Sequence, residues 1–221
     1  MQSWTAMRFY FDVISPYAYI GWRRVHELAR KVEHEVEPVP ILFAALLAHY
    51  GHRGPAEIAP KKLYTFKHVV RVAAELGVPI EPPPHHPFNP LLPLRIATAA
   101  RARPDARAVI DALFDAVWNG GGGTEDPEAL ARWLDARGLD GAELVASASR
   151  SETKDALRRA SDDAIAAGVF GVPTIAIDDE LFWGQDSFGH VEAFVAGRDP
   201  ARAAAARWAG ITASATRPGS V

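Results

Sequence analysis

Strand-like sequence is confined to the two ends of this chain. Met7, Phe9 and Phe11 alternate with Arg8 and Tyr10, so residues 6–12 read as a strand. "VEPVPILF", residues 36–43, is apolar enough for a second, although Pro38 and Pro40 weaken it. "VPTIAIDDELFWG", residues 172–184, reads as strand, tight turn at Asp178-Asp179, and strand. From about Ala44 to Gly168 the pattern is helical, with segments near 61–76, 91–102, 105–118, 127–137, 140–149 and 152–167. A sheet can form only if the two ends come together. The order is β-α-β, a long helical stretch, then β-β-α, which predicts an α/β sheet core interrupted by an all-helical insertion.

The expected boundaries are a sheet domain from 1–43 and 169–198, an insertion from 44–168, and a C-terminal extension from 199–221. A last amphipathic helix runs from about Ser187 to Ala196. The tail "TASATRPGSV" has little to bury and is expected to be disordered.

Composition narrows the function. Twenty-four basic and 27 acidic residues give a net charge of −3, which argues against a nucleic-acid partner. No apolar run has membrane length, and the first residues lack the pattern of a signal peptide. Cysteine is absent, so the chain can form no disulfide, no thiolate metal site and no thiol nucleophile of its own. These points predict a cytoplasmic protein.

The first helix opens at "ISPYAYIGW". Pro16 suits the first helical position, and Ser15 is then its N-cap. Ser15 has two readings here: it caps the helix, or it holds something negative at the helix mouth. Val172-Pro173 opens a strand, and Gln185, Asp186 and Ser187 precede the last helix, where any of them could serve as a cap.

Two stretches together tilt the balance. "FYFDVISPYAYIGW" resembles the opening, and "GVFGVPTIAIDDELFWGQDSF" the closing segment, of 2-hydroxychromene-2-carboxylate isomerases and kappa-class glutathione transferases. "GHRGPAEIAPKKLY" and "HPFNPLLPLRIA" resemble that family's insertion. The similarity extends to about residue 196 and implies a thioredoxin-like, DsbA-type sheet core. Redox members of this fold carry a cysteine where this chain has Ser15. The resemblance implies that glutathione brings the missing sulfur and that the Ser15 hydroxyl binds it.

A free thiol of pKa about 8.5 is only a few per cent ionised at neutral pH. Lowering that pKa by roughly two units requires about 2.7 kcal/mol of thiolate stabilisation. A helix N-terminus supplies about 0.3–1 kcal/mol, and a hydrogen bond to a charged group roughly 1.5–3 kcal/mol. The dipole alone falls short; with one hydroxyl it suffices.

The resemblance further implies a cis Val172-Pro173 bond, with the Val172 backbone pairing with glutathione as an added strand. It implies that Gln185 and Asp186 hold the γ-glutamyl end. Tyr17, Tyr19 and Trp22 would wall an aromatic-substrate pocket, or pack in the core. His52 stands where relatives usually carry asparagine and is expected within reach of that pocket, with a surface-loop role as the alternative. Lys61 and Lys62 could attract an anion or simply solvate a helix face. His85-His86 reads as a solvent-exposed loop, and "GGGG" at 120–123 as a connector.

The function implied is glutathione-dependent isomerisation of a small hydroxychromene-carboxylate or benzylidenepyruvate-type aromatic substrate by thiolate addition and elimination. The alternatives are a kappa-like transferase or peroxidase, and a non-catalytic DsbA-fold binding protein. A homodimer is left open.

Overall fold

The two ends of the chain meet in one sheet. The computed structural model describes residues 5–212. Strand β1 (Thr5–Phe11), helix α1 (Pro16–Lys31) and strand β2 (His34–Pro40) form a parallel β-α-β unit. Strands β3 (Thr174–Ile177) and β4 (Glu180–Trp183) return antiparallel, giving the order β2-β1-β3-β4. The register sets Phe9 opposite Pro38 on one side and opposite Ile175 on the other. Pro38 and Pro40 lie in β2, an edge strand whose outer ladder is unpaired, which is why two prolines are tolerated. The strand expected at 36–43 therefore starts and ends earlier, and α2 (Phe43–His49) takes over its last residue.

The sheet buries both faces, each with a different cover. Met7, Phe9 and Phe11 point toward α1 and α5 (Ala106–Trp118), packing with Trp22 and Phe114. The Phe11 and Phe114 ring centroids are 5.4 Å apart, and those of Phe11 and Trp22 are 5.8 Å apart. Burying each such side chain contributes roughly 1.5–3 kcal/mol. Tyr10, Val39 and Ala176 face the opposite way, toward Leu46 of α2 and Ala164 of α8 (Ser151–Ala166). The period-two pattern of β1 is thus real, and its second face is covered as well.

Helices α3 (Ala59–Glu75), α4 (Leu91–Ala100), α6 (Pro127–Asp135) and α7 (Gly141–Ser147) complete the stretch between β2 and β3. Asp126 restarts the chain as expected: its carboxylate accepts hydrogen bonds from the amides of Glu128 and Ala129, capping α6. The glycine run folds back on α5, with the Gly123 amide donating to Ala116 O at 2.8 Å. A Cβ on Gly121 would come within 2.3 Å of Ala116 Cα, so the connector needs glycine there for close approach.

Helix α9 (Phe188–Val195) packs Phe188 and Val191 into the core. A further helix, α10 (Ala201–Ala209), follows and was not expected. Its signal is Asp199-Pro200: the Asp199 carboxylate accepts from the Ala201 amide at 3.0 Å. The disorder expected for the tail from 213 on lies outside the described residues. Among the described residues no helix is long and apolar enough to cross a membrane.

Candidate active site

Strand β1 ends at Phe11, and three residues separate it from the helix cap. The Ser15 amide donates to Asp12 O at 3.1 Å. The Asp12 carboxylate accepts from the Ile14 amide at 3.0 Å and from the Phe43 amide at 2.9 Å. Asp12 is completely buried, and burial pushes its pKa up to about 7 against the opposing effect of those two amides. Sequence reading missed this residue. The signal was available: an aspartate ending an apolar strand, three residues before a helix cap.

Ser15 is half-buried at the mouth of α1. Its Oγ accepts from the Ala18 amide at 3.2 Å, so it does cap the helix. Its hydroxyl proton is aimed at Val172 O, 3.4 Å away, at the weak end of hydrogen-bond geometry. The first turn of α1 carries no acidic side chain, which leaves the positive end of the helix open to an anion.

Val172 lies across from it, before β3, and the Val172-Pro173 bond is cis. Among the described residues the Val172 amide makes no hydrogen bond. The Gly184 amide donates to Pro173 O at 2.9 Å. Helix α1 packs closely over this corner: a Cβ on Gly21 would sit 3.3 Å from Phe9 and 3.4 Å from Pro173. Glycine there lets α1 approach the strand.

The turn at Gln185–Ser187 closes the other flank. Gln185 is buried, and its side-chain and backbone oxygens both face Arg24 Nη1 of α1 at 3.5 Å. Asp186 is exposed, with its carboxylate open to a cation. It reaches Tyr17 electrostatically. Burial pushes the Tyr17 phenol above its usual pKa, and the charges of Tyr64 and Asp186 add to that. The Tyr17 hydroxyl also pairs with His68 Nδ1 at 2.7 Å. Ser15, Tyr17, Val172, Gln185 and Asp186 thus surround the first turns of α1.

Tyr19 and Trp22 do not join them. The helical period turns both inward, to 0% and 1% exposure. Tyr19 donates its hydroxyl proton to Pro79 O at 2.6 Å, and Trp22 Nε1 donates to Asp111 at 2.6 Å. They pack in the core rather than line a pocket. His52 is exposed, its ring 6.2 Å from that of Tyr50. The turn that carries it folds back on itself, with the Gly54 amide held by Glu57 Oε1 at 2.5 Å, and leaves His52 outside the lining described next.

A cavity of about 310 Å³ lies between α3, the 80–86 segment and the end of α5. Phe66, Val69, Ile80 and Trp118 give it apolar walls, with Lys62 and His86 among its polar lining. His86 was read as part of an exposed loop, and only His85 is exposed. His86 turns in because Phe66, Phe88 and Trp118 make an aromatic nest for it, with Phe66 at 5.1 Å. Its Nε2 lies 3.0 Å from Ile14 O, which connects the cavity wall to the Ser15 turn.

Comparison with known proteins agrees with this fold. The sequence profile of the DSBA-like thioredoxin domain family matches residues 6–196. A 2-hydroxychromene-2-carboxylate isomerase of Sphingobium xenophagum is 29% identical over 189 residues, covering 85% of this chain and 96% of the relative. Glutathione S-transferase kappa 2 of Caenorhabditis elegans is 28% identical, covering 86% of this chain and 91% of its own. A solved 2-hydroxychromene-2-carboxylate isomerase superposes with a TM-score of 0.77 at 26% identity, covering 91% of this chain and 99% of that one.

Proposed function

The chain belongs to the DSBA-like thioredoxin domain family, and we propose that it is a glutathione-dependent isomerase acting on a small aromatic carboxylate of the hydroxychromene or benzylidenepyruvate type. One observation carries this reading. Ser15 offers a hydroxyl proton at an open helix N-terminus, in a chain that has no cysteine. A site built to stabilise a thiolate, with no thiol of its own, calls for a ligand that brings one.

The residues present fit glutathione. The unbonded Val172 amide offers a backbone donor to an extended peptide. The Asp186 carboxylate suits an ammonium group, and the buried Gln185, its oxygens 3.5 Å from Arg24 Nη1, flanks it in the same turn. When bound, glutathione supplies a sulfur nucleophile that adds reversibly to a conjugated double bond, so isomerisation needs no net redox change. Ser15 and the α1 amides hold the sulfur in its ionised form. The largely apolar cavity whose His86 wall meets the Ser15 turn gives an aromatic ring a surface to pack on, and Lys62, beside Glu81 in the same lining, supplies a cation for a carboxylate.

The names of the relatives support an isomerase or a kappa-type transferase. Thiol accounting separates the two. Incubation with glutathione and a benzylidenepyruvate is expected to change the substrate's ultraviolet spectrum and to return all the glutathione as free thiol. Stoichiometric loss of free thiol would make the protein a transferase instead. No catalysed spectral change with a range of such substrates would reject the isomerase.

A further inference from the structure

The two peptide units that lead into Ser15 are each held at both ends. In the first, Val13 O accepts from Trp118 Nε1 at 2.8 Å, and the Ile14 amide donates to Asp12 Oδ1 at 3.0 Å. In the second, Ile14 O faces His86 Nε2 at 3.0 Å, and the Ser15 amide donates to Asp12 O at 3.1 Å. Asp12 is local. Trp118 and His86 come from the helical stretch, 105 and 72 residues away in sequence.

We propose that His86 is a positioning residue for Ser15: by holding the Ile14 carbonyl it fixes the peptide plane from which the Ser15 hydroxyl is presented. A carbonyl can only accept, so His86 Nε2 carries the proton and donates it. The other ring nitrogen, Nδ1, is buried and has no hydrogen-bond partner among the described residues. A second proton on that nitrogen would have no acceptor, so the ring stays neutral and keeps one hydrogen-bonding role. Aromatic neighbours pin its plane, with Phe66 edge-on at 5.1 Å and Trp118 at 5.7 Å. Lys62 Nζ donates to the His86 carbonyl at 2.7 Å and holds its backbone. A neutral, fixed donor is poorly suited to proton transfer and well suited to orientation. The same three side chains, Lys62, His86 and Trp118, line the cavity, so a ligand there touches the residues that hold the Ser15 turn.

The effect on a bound thiol rests on the proposed function; the clamp itself does not, and two readouts keep them apart. Amide hydrogen exchange is measured on the protein alone, in wild type, His86→Leu, His86→Gln and Lys62→Met. Loss of the donor in His86→Leu should speed exchange at Ser15 by about tenfold relative to β1 and β3. Gln, which restores a side-chain N–H donor at similar reach, should recover most of the protection, and Lys62→Met should give a smaller acceleration. Bound-glutathione titration should place the thiol pKa higher in the Leu variant than in wild type and near wild type in the Gln variant. Unchanged exchange at Ser15 in the Leu variant, or equal acceleration in Gln and Leu, overturns the clamp. Should the Leu variant not fold, unchanged exchange in Lys62→Met overturns it. A wild-type thiol that titrates like free glutathione rejects the proposed function, and the exchange rates still decide the clamp.

Discussion

Ser15 and Val172 lie 157 residues apart in sequence and face each other across 3.4 Å, hydroxyl to carbonyl oxygen. Good O–H···O bonds are shorter by roughly half an ångström or more, so this hydroxyl is weakly committed. A charged acceptor over the helix end forms a hydrogen bond about twice as strong as a neutral one and would take the proton. Meanwhile the oxygen of the same hydroxyl keeps the Ala18 amide capped. Capping and anion binding therefore use opposite ends of one group.

The exposed carboxylate of Asp186 is expected to act on binding alone. Asp186→Ala should weaken glutathione about 10- to 100-fold, the equivalent of one charge-assisted hydrogen bond. Because the side chain is exposed, the melting temperature should hold. Calorimetric titration with glutathione checks this; equal affinity in variant and wild type would remove Asp186 from the site.

Trp22 is expected to behave as a core residue. Trp22→Ala removes a fully buried indole and its bond to Asp111, and should cost about 3–5 kcal/mol. Urea unfolding measures it. A loss below about 1 kcal/mol with impaired turnover would return Trp22 to the substrate pocket.

How far the sequence carried these assignments depends on the kind of signal involved. Alternation in β1 and the Asp126 cap were readable because local pattern carries them, and the cis-proline corner only because the family resemblance implies it. Tyr19 and Trp22 were ambiguous because an aromatic near a helix mouth can face in or out, and only the register of α1 on the sheet decides. His86 was misplaced because the loop around it is proline-rich and polar, while the aromatic nest that draws it in comes from α3 and α5. Asp12 was passed over for a similar reason: one of its two amide partners, Phe43, lies 31 residues away, at the start of α2 beyond the neighbouring strand. The short helix α10 went unread although Asp199-Pro200 marks its start.

Asp12 should tilt the stability curve. Its pKa rises from an ordinary 3.8 to about 7 on folding. The folded state therefore holds this proton more tightly than the unfolded chain. That contribution is complete below about pH 4 and is lost as pH rises to about 7, up to roughly 4 kcal/mol. His26, pushed down to about 4 mainly by burial, slopes the other way, so the useful quantity is the difference between wild type and Asp12→Asn. In unfolding experiments the stability of wild type minus that of the variant should fall steadily between pH 4 and 7, by up to roughly 4 kcal/mol. A difference independent of pH would mean that Asp12 titrates normally.

The central claim is that Ser15 stabilises a thiolate. The direct measurement is the ultraviolet absorbance of the thiolate, titrated with glutathione bound to wild type and to Ser15→Ala. Pro16 and the helix end stay in place in the variant, so only the hydroxyl is lost. Loss of one hydrogen bond to a charged group, roughly 1.5–3 kcal/mol, should raise the bound thiol pKa by about one to two units. The lost cap should also lower stability by about 1 kcal/mol. If both proteins titrate like free glutathione and the variant merely melts earlier, Ser15 is a helix cap and the proposed function is wrong.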